Sequence, residues 1–249
     1  MSLMKVNQYI RSIELNREKI SYFQNHPFNL PIIKDLHTLE FHPKVTYIVG
    51  ENGTGKSTIL EAMATAYGFN PEGGTMNFNF SSWESHSDLY KFIKIIRGVK
   101  RPKDGFFLRA ESFYNLATNI EILDEGGMSP KIIDSYGGIS LHKQSHGESF
   151  FAVLMNRFSG NGLYILDEPE AALSPSRQMA MLSRIHELVE KESQFIISTH
   201  SPIIMAYPDS FIYEIKEGII KTEYDKTETY QVMKAFLNNT NKMLDILMK

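Results

Sequence analysis

The stretch Val45-Thr46-Tyr47-Ile48-Val49-Gly50-Glu51-Asn52-Gly53-Thr54-Gly55-Lys56-Ser57-Thr58 decides how the rest of the sequence is read. Val45 to Val49 has the apolar, β-branched character of a strand. After Ser57 the residues Ile59, Leu60, Met63, Ala64 and Tyr67 recur at helical spacing until Gly68 closes the stripe. The order is strand, glycine-rich loop, helix. Glycines let a backbone turn its N–H groups inward around phosphate oxygens, and the following helix aims its positive end at the same anion. In that frame Gly50 to Thr58 form a phosphate cradle, Lys56 reaches the β- and γ-phosphates, and the Ser57 hydroxyl ligates Mg2+.

Further along, Leu163 to Leu166 is apolar at every position, as expected of a strand covered on both faces. It runs into Asp167-Glu168-Pro169, and open parallel sheets bind ligands at that carboxyl edge. Adjacent carboxylates there can divide labour: Asp167 holds Mg2+, directly or through water, and Glu168 polarises the water that attacks a phosphate. Pro175 then opens a helix whose Met179, Leu182, Ile185, Leu188 and Val189 share one face, and the strand Phe195 to Ser198 follows. His200 stands just beyond that strand, one helix and one strand after Asp167, so it can point at the same phosphate. A fourth strand is expected at Phe106 to Arg109. Upstream of the acidic pair, Ser145-His146-Gly147-Glu148 opens an apolar helix, Phe150 to Phe158; it reads either as an anion site or as an ordinary helix N-cap.

The 249 residues carry 26 Lys and Arg against 29 Asp and Glu, a net charge of −3, so no global basic field draws the chain onto nucleic acid or an anionic membrane. Cysteine is absent, which removes disulfides, thiolate metal sites and thiol nucleophiles and agrees with a reducing compartment. The longest uninterrupted apolar run, Phe150 to Met155, falls far short of the ~20 residues of a spanning helix. No signal peptide is evident, and a cytoplasmic location is expected. Strand-like and helix-like segments alternate, which predicts an α/β fold with a mostly parallel sheet. Two segments read as insertions: residues 70–105, with an expected helix carrying Leu89, Phe92, Ile93 and Ile96 on one face, and residues 112–144, a small helical and loop-rich subdomain.

Taken in order, GENGTGKS, SHGE, LYILDEP and ISTHSP resemble the ATPase core of the ABC superfamily, with its Walker A, signature, Walker B and H-switch motifs, over residues from about 20 to 215. The resemblance implies a P-loop NTPase fold of ABC type spanning 1–249 as one domain, with ATP and Mg2+ as cofactors and ATP hydrolysis as the activity. It also implies a head-to-tail homodimer, with ATP between the Walker A loop of one subunit and the signature of the other. Ser145, Gly147 and Glu148 fall on the Ser, second Gly and Gln of the family's Leu-Ser-Gly-Gly-Gln, whereas Gln144 and His146 depart from it. Ser145 and Gly147 would serve the partner's γ-phosphate and His200 that of its own subunit. Glu111 is the implied occupant of the Q-loop position, near Mg2+ through water, against the alternative of an exposed strand end. The aromatic that stacks on adenine is Phe28 or, as second choice, Phe23, against simple core packing. In the D-loop position Ala172-Leu173-Ser174 ends on Ser where the family has Asp.

Within the superfamily, Asp167-Glu168-Pro169-Glu170, Leu173-Ser174-Pro175 and Ser198-Thr199-His200-Ser201-Pro202 are more similar to the non-transporter ATPases of overcoming-lysogenisation-defect and SMC/recombination type than to transporter subunits. The interval between Lys56 and Ser145 leaves no room for a long coiled coil, and the stretch after His200 is too short for a nuclease domain, so a separate effector protein is the expected partner. The alternatives are the ATP-binding subunit of a membrane transporter and an ATP-gated clamp with little turnover. Lys91, Lys94, Arg97, Lys100, Arg101 and Lys103 form a basic run that reads either as a nucleic-acid contact or as a solvated face.

Overall fold

The computed structural model describes residues 8–76, 87–109, 113–125 and 131–249. Its strands are β1 (Ile10–Leu15), β2 (Thr38–Glu40), β3 (Val45–Gly50), β4 (Ile93–Arg97), β5 (Asp104–Arg109), β6 (Gly162–Asp167), β7 (Gln194–Ser198), β8 (Ser210–Ile215) and β9 (Ile219–Thr222). The α-helices are α1 (Pro31–Asp35), α2 (Lys56–Tyr67), α3 (Phe113–Glu125), α4 (His146–Ala152), α5 (Pro175–Glu190), α6 (Glu228–Asn238) and α7 (Thr240–Leu247). A six-stranded sheet runs β5-β6-β7-β3-β8-β9, parallel except for β9. The four strands expected from the sequence lie side by side in it, as β5, β6, β7 and β3.

Both faces of this sheet are covered, and the pleat sorts the side chains between them. Val45, Tyr47, Val49, Phe106, Leu108, Tyr164, Leu166, Phe195 and Ile197 join one core with α3, α4 and α5. Ile48, Phe107, Leu163, Ile165 and Ile196 face the other way, into a core with α1, α2 and a second sheet. That second sheet is antiparallel, β2-β1-β4. Gln194, fully buried at the start of β7, fastens it to the first: its Oε1 accepts Tyr9 N–H and Ile10 N–H at 2.9 Å each, and its Nε2 donates to the Ile10 and His42 carbonyls at 2.8 and 3.0 Å.

The helix expected around Leu89 to Ile96 is not formed. Asp88–Phe92 is a short 3-10 turn, and Ile93–Arg97 is strand β4, paired with β1 so that Leu15 faces Ile93 and Ile13 faces Ile95. The β-branched Ile93, Ile95 and Ile96 favour an extended chain over a helix once a partner strand is present. The basic run consequently begins in the 3-10 turn and continues along and after β4, and Lys91 pairs with Asp88, Lys94 with Glu14 and Lys100 with Glu192. The helix expected over Phe150 to Phe158 is α4 continued by a π turn, Val153–Arg157.

Residues 113–125 are helical and 132–136 and 141–143 form 3-10 turns. Neither α6 nor α7 contributes a buried residue, and Val232, Met233, Leu237, Ile246 and Leu247 are exposed. No helix among the described residues is long and apolar enough to cross a membrane.

Candidate functional site

Parallel pairing brings the carboxyl ends of β3, β5, β6 and β7 to one edge: Arg109 lies opposite Asp167, Asp167 opposite Ser198, and Ser198 opposite Ile48. The loop leaving β3 turns sharply because Gly50 has φ 146° and sits against Ile215, whose carbonyl oxygen would be 2.6 Å from any Cβ there. Gly55, at φ 97°, starts α2 in the left-handed region, with Ile32 2.7 Å from where a Cβ would stand. Gly53 also has positive φ, and Thr54 Oγ1 donates to the Glu51 carbonyl at 2.8 Å.

Lys56 is 3% exposed, and its ammonium donates to the carbonyls of Gly50 and Glu51 at 2.9 and 3.0 Å. Burial lowers its pKa, opposed by the charges of Glu168, Asp167 and Glu170. Its Nζ stands 3.8 Å from Glu168 Oε1. The Ser57 hydroxyl donates to Asp167 Oδ1 at 3.1 Å, and the Ser198 hydroxyl donates to the same oxygen at 2.5 Å. Burial pushes the Asp167 carboxyl above the ordinary range, against the pull of these two donors.

Glu168 breaks the strand geometry. Its backbone is left-handed, φ 47° and ψ 54°, at a cost of roughly 1–2 kcal/mol for a residue with a side chain. Successive strand side chains point to opposite faces. The kink instead turns Glu168 toward the side of Lys56 and His200, with Oε1 3.3 Å from His200 Nε2. That contact has ion-pair distance without hydrogen-bond alignment, so Nε2 is a buried nitrogen with no hydrogen-bond acceptor among the described residues. The His200 N–H is held by Glu170 Oε1, while Glu170 Oε2 is buried with no hydrogen-bond partner among the described residues. One short acidic turn thus touches both ends of His200.

The structure therefore brings together Lys56, Ser57, Asp167, Glu168 and His200. A hydroxyl and a buried carboxylate are hard oxygen donors of the kind Mg2+ takes, and the unmatched His200 Nε2 and the buried Lys56 ammonium fit a polyanion. Ser145 and Gly147 stand apart, at the N-terminus of α4, which packs on the turn Pro169–Ala172. There the Glu148 carboxylate accepts the Ser145 N–H at 3.0 Å and the Ser145 hydroxyl at 2.7 Å, and faces Arg177 at 3.7 Å. Phe28 packs edge-on against Phe92 and Phe23, at 5.1 and 6.4 Å between centroids. Both aromatic candidates belong to one half-buried group beside α1, whose Ile32 N–H bonds the Thr54 carbonyl at 3.3 Å. Glu111 lies outside the described residues.

Sequence reasoning missed Ser198, Glu170 and Arg109. Arg109 pairs with the buried Glu61 at 2.5 Å beside Asp167. For Ser198 and Arg109 the available signal was a polar residue ending an otherwise apolar strand; Glu170, in the turn Pro169–Ala172, gave none. A cleft of about 820 Å³ opens from the loop and His200 toward Lys216, Val232 and Met233.

An ABC transporter ATP-binding protein by name, from Caldanaerobacter subterraneus subsp. tengcongensis, is 26% identical over 91% of this chain and 95% of its own length. A macrolide export ATP-binding/permease protein from a Shewanella species is 25% identical over 90% of this chain, which spans only 36% of that relative. The crystal structure of a nucleotide-free ATP-binding cassette from an ABC transporter aligns with a TM-score of 0.49 and 18% identity, covering 96% of this chain and 98% of that one. Residues 19–195 match the AAA domain family AAA_23. With this match over most of its length, and with a glycine-rich strand–loop–helix, an acidic pair and a histidine at one edge of a mostly parallel sheet, the chain belongs to that AAA domain family and has an α/β P-loop NTPase fold.

Proposed function

We propose that this chain binds Mg-ATP and hydrolyses it as a homodimer, and that the cycle drives a separate effector protein. The observation that carries the reading is the placement of Glu168 Oε1 within 3.8 Å of Lys56 Nζ and 3.3 Å of His200 Nε2. Lys56 exchanges the Gly50 and Glu51 carbonyls for phosphate oxygens. Glu168 takes the proton of the attacking water, and His200 donates toward the terminal phosphate. Ser57 and Asp167 would hold Mg2+, which supplies charge neutralisation at the phosphates when bound. Ser145 and Gly147 would complete the site of a second subunit, and 112–144 would be the small helical and loop-rich subdomain inserted in the single domain 1–249.

The test is Glu168→Gln with saturating Mg-ATP, followed by light scattering and phosphate release. A dimer without turnover is expected, together with loss of nucleotide binding in Lys56→Ala by roughly 10- to 100-fold. A Glu168→Gln protein that stays monomeric would overturn the composite site. Membership of a transporter is a second reading, favoured by the names of the two relatives; co-purification of a membrane-spanning subunit decides for it. Sustained phosphate release by the wild type decides against a clamp. A nucleic-acid role for the basic run is weakened by the acidic partners of Lys91, Lys94 and Lys100.

A further inference from the structure

Ser198 is fully buried at the end of β7, after the apolar Phe195, Ile196 and Ile197. Its hydroxyl has one proton to give. That proton goes to Asp167 Oδ1 at 2.5 Å, which fixes the rotor and leaves a lone pair facing Glu168 N–H at 3.0 Å. The same N–H also reaches the Ser198 carbonyl at 3.1 Å. One side chain therefore grips both members of the acidic pair, one by its carboxylate and the other by its backbone.

We infer that Ser198 is a positioning residue that separates the tasks of the two carboxylates, an inference that rests on the hydrolytic reading above. Asp167 is kept in one rotamer when the Ser57 hydroxyl turns away toward a cation. Glu168 is kept in its left-handed backbone, φ 47°, from which its carboxylate faces Lys56 and His200. Without the hydroxyl, Glu168 N–H retains only the carbonyl and Asp167 loses its shorter donor. Outer-shell partners of this kind set ligand orientation without touching substrate.

The experiment compares the full-length wild type with Ser198→Ala and Ser198→Thr. A fluorescent ATP analogue is titrated with EDTA and with Mg2+, steady-state kcat and KM are measured, and hydrogen exchange is followed for the peptide containing Glu168 in nucleotide-free protein. For Ser198→Ala the expected results are unchanged affinity in EDTA, a roughly 10-fold smaller gain from Mg2+, a kcat lower by roughly 10- to 100-fold, and faster exchange at Glu168. Ser198→Thr, which keeps the hydroxyl, is expected to restore most of each. Ser198→Cys, of similar size with a weak donor, serves if the threonine methyl prevents folding, and is expected to fall between wild type and alanine. Equal loss of affinity with and without Mg2+, or wild-type kcat in Ser198→Ala, overturns the inference. If the wild type itself neither binds nor hydrolyses ATP, the hydrolytic reading fails; unchanged exchange at Glu168 in Ser198→Ala counts against Ser198 alone.

Discussion

The Ser57 hydroxyl donates to Asp167 Oδ1 over 3.1 Å, tying the first turn of α2 to the end of β6. Because burial raises the pKa of the Asp167 carboxyl, keeping it ionised there costs stability. Asp167→Asn is expected to raise the melting temperature of nucleotide-free protein by about 2–4 °C, for a gain of about 1 kcal/mol. It should also abolish the extra stabilisation that Mg-ATP gives over ATP in EDTA. Differential scanning fluorimetry reads both; a lower melting temperature without nucleotide would contradict the first.

Gln194, at the start of β7, satisfies backbone groups of Tyr9, Ile10 and His42 at once. Gln194→Leu keeps the size of the side chain and leaves those buried groups without it, so a loss of about 2 kcal/mol or more is expected, seen as a melting temperature lower by ~4–8 °C. Urea unfolding measures it. A loss below the error of the measurement would show that the small sheet is held without these four hydrogen bonds, by apolar contact and by bonds such as that from Tyr213 Oη to the Glu40 carbonyl.

Asp104 sits at the opposite end of the sheet from the candidate site. Burial alone would raise its carboxyl, but Arg157, the Tyr164 hydroxyl and the Ser159 N–H outweigh it, and the net shift is downward. A carboxylate lowered in the folded state contributes stability that is present above its unfolded value, about 3.9, and is lost as pH falls through the folded value. The stability advantage of wild type over Asp104→Asn is therefore expected to be full near neutrality and to shrink below pH ~4. Denaturant melts across that range test it, and a constant difference would be inconsistent with the ion pair.

The phosphate loop was legible because its information is local: a strand, positive-φ glycines and a helical stripe occupy consecutive residues. The acidic pair and His200 were legible for the same reason, each ending an apolar strand. β1 and β4 were not, since their half-buried residues acquire meaning only when paired, and Leu89, Phe92, Ile93 and Ile96 fit a helical face nearly as well. Ser198 and Glu170 escaped because their work lies in contacts between segments distant in sequence, which spacing along the chain does not encode.

Left-handed backbone is easier for asparagine than for glutamate. Glu168→Asn is therefore expected to melt ~1–2 °C higher than wild type while phosphate release disappears. A lower melting temperature would mean that the Lys56 and His200 contacts outweigh the backbone strain. At position 168, selection for robustness and selection for turnover then pull apart: the sturdier protein is the idle one, and a working chain must keep a residue that its own fold resists.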